Sequence, residues 1–285
     1  MRLRRGVYAS VEEYRGLSRE DKYLTRVAGA ASIRNDPVLA GLSAAVWLGL
    51  PLVGSVPQYV YLLSPANNGR KRNGVIELPR RGRETVIELD GLRTTSIADT
   101  LIEVCRTVPF VTALAMIDAA LLVDRFGKEP PLVSFDELMA AHQERMPYRG
   151  SVRVRGVLVA ATTAAESAFE TLSRVTIDEL GFPEPELQFE IVLNDGKTVY
   201  SDFGWPDYRA VGEADGWGKY IDPKHPSSAT LEERVRAEKR RDNAIRRTGL
   251  TPAHWEWSDA WDREPLRRIL LDAGLPIVRR PRTIR

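Results

Sequence analysis

Residues 185–216, PELQFEIVLNDGKTVYSDFGWPDYRAVGEADG, constrain this chain more than any other stretch. Apolar and polar residues alternate there as they do in paired strands with one buried face. Asn194-Asp195-Gly196 supplies a hairpin turn, because Asp-Gly tolerates positive φ, and Trp205-Pro206-Asp207 supplies a second turn. Helical runs lie on either side. One extends from about Thr162 to Leu180 and is ended by Gly181 and Pro183; the other is LEERVRAEKRRDNAIRR. PAHWEWSDAWD then adds a short strand and a last helix to about Ala273, ahead of a basic tail. This half reads as mixed α/β, a central sheet flanked by helices.

The first half is patterned differently. Residues 1–36 are polar and irregular, with RRGVYAS reading as a strand or wing before a short helix. DPVLAGLSAAVWLGLP predicts a helix, with Asp36 as its cap, Pro37 in its first turn and Gly49 and Pro51 as its stop. PQYVYLL and ETVIEL read as strands joined by a basic loop, SPANNGRKRNGVIELPRRGR. IADTLIEVCRTV and VTALAMIDAALLVDRF have helical spacing, broken at Pro109 and Gly127, and FDELMAAHQERM is a further helix. PYRGS ends this half. The expected division is 1–150 and 151–285, a mixed α+β domain followed by the α/β domain.

Composition narrows the function classes. With 43% hydrophobic and 28% charged residues, a core can be buried and global disorder is excluded. Lys plus Arg total 41 against 39 for Asp plus Glu, so a histone-like polycation is excluded as well. Arginine nevertheless clusters at 2–5, 70–83, 234–247 and 279–285, where bidentate phosphate contact competes with a solvated, internally paired surface. Cys105, alone in an apolar run, rules out an internal disulfide or a thiolate zinc site. No apolar run reaches the roughly 20 residues of a membrane helix, and no signal-peptide core follows Met1. The expectation is a soluble cytoplasmic protein without a membrane partner.

The carboxylates of the alternating segment carry the chemistry. Asp202 sits where the first hairpin strand emerges, and Glu213 and Asp215 lie two apart, hence on one face of a strand. If the strands flanking Trp205-Pro206 pair, Asp202 lies beside Glu213, and Glu170 on the preceding helix packs over that face. Oxygens converging in this way suit Mg²⁺ or Mn²⁺, which activates water and neutralises charge on a phosphodiester. Lys219 could orient that water. The plainer alternative is that a D…ExD pattern arises by chance among acidic residues near strand ends.

Three ordered blocks add to this: ETLSRVTIDELGFPEPELQ, YSDFGWPDYRAVGEADGWGKY and AEKRRDNAIRRTGL. Over roughly 160–262 the chain resembles the very-short-patch-repair-like branch of the PD-(D/E)XK nucleases, with a G-E-x-D-G-x-x-K-Y core at 212–220. The resemblance implies a restriction-endonuclease-like domain. It makes Glu170 the helix glutamate, Asp202 the first strand aspartate and Glu213 the second acidic metal ligand. Glu166 competes for the helix role. Asp215 stands where the superfamily has lysine, and Lys219 where many relatives have histidine. Lysine has then migrated to Lys219, or the site is degenerate and nonhydrolytic. Arg240, Arg241 and Arg246 would contact DNA phosphates.

In the first half, RRGVY, LSAAVWLGLP, GLRTTSIADTLIEVCR and AMIDAALL resemble, in that order, the abortive-infection type IV antitoxin family. Such proteins usually carry a winged helix-turn-helix ahead of the RRGVY wing. Here Met1 lies only a few residues before it, so the recognition helix is expected to be missing. The leading expectation is a Mg²⁺- or Mn²⁺-dependent DNA endonuclease or nickase in phage defence or toxin–antitoxin biology. The alternative is a noncatalytic antitoxin or regulator that binds DNA or a nucleotidyltransferase-like toxin through a degenerate nuclease fold.

Other residues read as unremarkable. His142, His225 and His254 form no zinc motif, and Ser43 lacks a nucleophile elbow. Trp205, Trp217, Trp255 and Trp257 stack on unpaired bases or, more often for such residues, close a small core. No Walker A or dinucleotide-binding fingerprint occurs.

Overall fold

The computed structural model describes residues 1–124, 129–215 and 231–284. The chain is a mixed α/β protein of two compact units, Met1–Thr163 and Ala164–Arg285.

The first unit opens with a hairpin of β1 (Arg2–Arg4) and β2 (Val7–Tyr8), followed by α1 (Val11–Gly16) and α2 (Arg19–Ala31). Ser10 and Ser18 cap the two helices by accepting backbone N–H bonds. The segment predicted as one helix from Pro37 divides into a strand, β3 (Val38–Leu39), and a short helix, α3 (Gly41–Trp47). Val38 and Leu39 are held in the strand by pairing: Leu39 lies opposite Leu62 on one side and Thr94 on the other. Next come β4 (Val60–Leu63), β5 (Arg70–Arg72), β6 (Val75–Leu78), β7 (Val86–Leu89) and β8 (Leu92–Thr95). They assemble with β3 in the order β5-β6-β4-β3-β8-β7.

Two strand pairs in this sheet are tight hairpins. Asn73-Gly74 joins β5 to β6 and Asp90-Gly91 joins β7 to β8, all four residues at positive φ. The basic stretch expected as a loop therefore contains a hairpin. Four helices complete the unit: α4 (Ile97–Thr107), α5 (Phe110–Leu121), α6 (Phe135–Glu144) and α7 (Ser151–Ala160). Ser96 caps α4, Pro109 begins α5, and Ser134 with Glu137 forms a capping box on α6. Helix α5 is buried almost all round, which makes it the inner helix. Cys105 is fully buried on α4, and that burial pushes its thiol up to about 12. Because α7 packs on α4, α5 and α6, the units divide after Thr163 rather than near residue 150.

The second unit runs α8 (Ala168–Leu180), β9 (Glu186–Val192), β10 (Thr198–Trp205), a 3₁₀ turn (Pro206–Tyr208) and β11 (Ala210–Ala214). It continues with α9 (Leu231–Arg247), β12 (Thr251–Trp255), α10 (Trp257–Asp262) and α11 (Glu264–Asp272). The sheet order is β12-β11-β10-β9. Strands β9, β10 and β11 are antiparallel neighbours, whereas β12 lies parallel to β11. The expected last helix is two, separated at Arg263, whose φ is 67°.

Both faces of this sheet are covered. On one, Trp255 donates from Nε1 to Ser173 Oγ of α8 at 2.8 Å, and Phe203 packs between Trp205 and Trp255. On the other, Ile245 of α9 packs with Val211 and Ile191. Trp205 and Trp255 are 2% exposed, so they close the core and are not open to bases. Gly212 fits between them; a Cβ there would lie 2.4 Å from the Trp255 ring. Arg279 and Arg282 of the basic tail both pair with Asp178 of α8, so this cluster is tied to its own unit.

Candidate metal centre

Glu170 lies in the first turn of α8. Ser167 caps the helix, accepting the Glu170 N–H at 3.1 Å, and its hydroxyl donates to Glu170 Oε1 at 2.8 Å. Glu170 Oε2 accepts from the Glu166 N–H at 2.9 Å and from Gln188 Nε2 at 3.0 Å. Glu166 lies before the helix, which leaves the helix position to Glu170. Glu170 is only 5% exposed; burial, then the negative charge of Asp202, pushes its carboxyl up to about 7. Ser167→Ala removes the cap and one tether of Glu170. We expect it to cost about 1 kcal/mol in urea unfolding at pH 5.

Asp202 is on β10, and the β10–β11 register puts it opposite Glu213 one step beyond Phe203–Gly212. Its Oδ2 accepts the Ala214 N–H at 2.8 Å. Glu213 is 8% exposed, and its Oε1 accepts from the Arg241 guanidinium at 2.8 Å. Burial raises the Glu213 carboxyl, Arg241 opposes that rise, and Asp202 adds to it. Arg241 also donates to the Tyr200 carbonyl. Of the three arginines expected at a phosphate, Arg241 is thus spent on the site, Arg246 lies 3.8 Å from Asp242, and Arg240 is exposed.

Asp215 follows β11 directly, and its Oδ2 is 2.7 Å from His254 Nδ1. His254 Nε2 faces Asp242 Oδ1 of α9 at 3.1 Å. The hydrogen bond to Asp215 and the charges of Asp215 and Asp242 push the imidazole up to about 9 despite its burial. At neutral pH it is an imidazolium donating to both carboxylates. Glu238 of α9 joins this group: ligand atoms of Asp215, Glu238 and His254 all lie within 4.8 Å of one another. Among the described residues this is the one such cluster; Glu170, Asp202 and Glu213 stand further apart. Lys219, like His225 and Trp217, lies outside the described residues.

The structure therefore sets Asp202 and Glu213 in one row across the sheet, with Asp215 just beyond β11 and Glu170 on α8, and adds two groups that no motif marks, Glu238 and His254. His254 sits beside Glu213 in the parallel β11–β12 register, a pairing that no local spacing announces. Glu238 shares a helix face with Arg241 and Asp242, at helical offsets of three and four, and that was the available signal. Asp215, Glu238 and His254 could hold a metal ion only once the imidazole gives up a proton, because a cation needs the lone pair of a neutral ring nitrogen.

A mixed α/β protein with an Asp, Glu and His cluster beside a row of acidic residues on its second sheet is the class this geometry defines. No family model matches the chain. Two uncharacterized proteins of Mycobacterium tuberculosis do: MT2308 of strain CDC 1551 / Oshkosh and Rv2248 of strain ATCC 25618 / H37Rv. Each is 31% identical over 209 residues, which cover 73% of this chain and 70% of the relative. The chain belongs to the family of these two mycobacterial proteins. No solved structure matches it. None of its helices, over the described residues, is long and apolar enough to cross a membrane.

Proposed function

We propose that the second unit is a restriction-endonuclease-like domain of the PD-(D/E)XK type, a Mg²⁺- or Mn²⁺-dependent DNA endonuclease or nickase. One observation carries this reading: the β10–β11 register sets Asp202 opposite the buried Glu213, and a second buried carboxylate, Glu170, is bonded to Gln188 of β9, the residue opposite Asp202 on the other side. Burying like charges together costs free energy unless a cation compensates them. The element order supports it: helix, three antiparallel strands, helix, parallel strand, with an acidic residue on each of α8, β10 and β11.

A divalent cation held there would supply an activated water and charge compensation at the phosphodiester. Glu170, Asp202 and Glu213 would hold it. Ser167 and the Glu166 and Ala214 amides fix the carboxylates that do so. With lysine absent from position 215, Arg241 and His254 are cations that, among the described residues, touch Glu213 and Asp215. Either could balance negative charge at an attacked phosphodiester only by leaving the carboxylate it now pairs with.

Arg241 also favours a second reading. Its ion pair with Glu213 and the engagement of Asp215 by His254 satisfy these groups without metal, as a noncatalytic antitoxin scaffold would require. Such a protein would bind DNA or a nucleotidyltransferase-like toxin in a phage-defence or toxin–antitoxin setting. The first unit would then be its antitoxin-like recognition domain.

Incubation with supercoiled, linear and single-stranded DNA separates the two. Nicking in Mn²⁺ or Mg²⁺ that stops in EDTA is expected of the nuclease. Salt-sensitive DNA binding with no cleavage in either metal would move the assignment to the scaffold.

A further inference from the structure

A cavity of about 300 Å³ lies wholly in the first unit between the sheet and α4, with 145–148 along one side. Leu63, Leu78 and Ile102 give it an apolar wall, and Arg81, Arg83, Arg106 and Arg145 line the rest with Glu84, Asp99 and Glu103. The carboxylates are already engaged. Glu84 accepts the Arg81 and Gly82 backbone N–H groups at 2.8 and 3.0 Å. Asp99 accepts from the Thr85 N–H at 2.7 Å and the Ser96 hydroxyl at 2.8 Å, and pairs with Arg145. Glu103 pairs with Arg106.

The guanidiniums are less fully used. Arg106 spends two donors, on Glu103 and the Arg149 carbonyl, and its guanidinium lies 5.8 Å from the centroid of the Tyr148 ring. Arg83 donates to the Glu144 carbonyl, and the exposed Arg81 side chain has no hydrogen-bond partner among the described residues. Each guanidinium carries more N–H donors than these bonds consume. A half-enclosed, partly apolar pocket with surplus arginine donors is matched by an oxyanion on an apolar body.

We propose that this cavity binds a small aromatic anion, its carboxylate or phosphate held by Arg81 and Arg83 and its ring against Leu78, Ile102 and Tyr148. The site is independent of the acidic site in the second unit. Nothing in its chemistry requires a metal.

Calorimetric titration of the full-length protein at low salt tests this, with phenyl phosphate, benzoate and inorganic phosphate as separate probes. Phenyl phosphate or benzoate is expected to bind with a Kd of about 1 mM or tighter, as befits a fragment. Inorganic phosphate should bind at least about ten-fold more weakly, lacking the apolar body. The Arg81→Gln, Arg83→Gln double variant changes exposed residues and should keep the wild-type Tm. It should weaken the aromatic probes by at least about ten-fold. No heat from either aromatic probe, equal affinity for inorganic phosphate, or unchanged binding in the double variant would overturn the assignment.

Discussion

Under the proposed nuclease function, Asp202→Asn is expected to lower metal-dependent cleavage at least about 100-fold, equivalent to roughly 2.7 kcal/mol of transition-state stabilisation. Asparagine keeps the shape and can still accept the Ala214 N–H that Asp202 Oδ2 accepts at 2.8 Å, so the β10–β11 junction survives. What it removes is the negative charge felt by both Glu170 and Glu213. The loss should appear in the single-turnover rate on supercoiled DNA, with circular dichroism unchanged. His254→Gln is the matched control. It disturbs the Asp215–Asp242 bridge without touching the three proposed ligands, and should cost less than about ten-fold. A His254 variant as inactive as Asp202→Asn would instead place the metal on Asp215, Glu238 and His254.

Glu170→Gln is expected to stabilise the protein at pH 8 by up to roughly 3 kcal/mol in the presence of EDTA. The sign follows from where the proton sits. The unfolded carboxyl ionises near 4.5, the folded one near 7. Between those values the folded state holds a proton that the unfolded state has released. The stability this contributes is present in full below pH 4.5 and is lost as the pH rises through 7. Glutamine is neutral throughout; its Oε1 can accept from the Glu166 N–H and Gln188 while its Nε2 donates to the Ser167 hydroxyl oxygen, reversing that one bond. Urea unfolding at pH 5 and pH 8 checks it: variant and wild type should differ by no more than about 1 kcal/mol at pH 5 and by roughly 3 kcal/mol at pH 8. Added Mn²⁺ should then close the gap at pH 8, since it favours the ionised glutamate and not the amide. A gap that Mn²⁺ leaves unchanged would mean that Glu170 does not ligate.

The parts of this fold that were legible are those whose signals are local. Asn194-Asp195-Gly196 marked the β9–β10 hairpin because a tight turn demands its own residue types. Pro109 separated α4 from α5, and Gly181, at φ 83°, ended α8 where a left-handed residue is needed. The β5–β6 hairpin had the same kind of turn at Asn73-Gly74. Its strands are three and four residues long and the first is all basic and exposed, so no alternation announced it. Helix α7 was obscured for another reason. Val152 and Val159 are 86% and 77% exposed while Val154 and Val157 are buried, so apolar residues lie on both faces and the helical period is blurred.

The site divides along the same line. Glu170, Asp202 and Glu213 fall where the motif spacing put them, on a helix start and two adjacent strands. The link between Asp215 and His254 spans 39 residues through a parallel pairing, and only the assembled sheet brings the two together. Arg241 was expected at a phosphate on the strength of its charge. Its burial against Glu213 depends on how α9 lies across the sheet, which composition does not encode.

The most direct test of a metal held by Glu170, Asp202 and Glu213 is Mn²⁺ titration at pH 7.5, followed by the loss of the free-ion paramagnetic resonance signal. Wild type and His254→Gln should both take up the ion, and Asp202→Asn should bind it at least about ten-fold more weakly. Asp202→Asn protein that binds Mn²⁺ as wild type does would contradict the account.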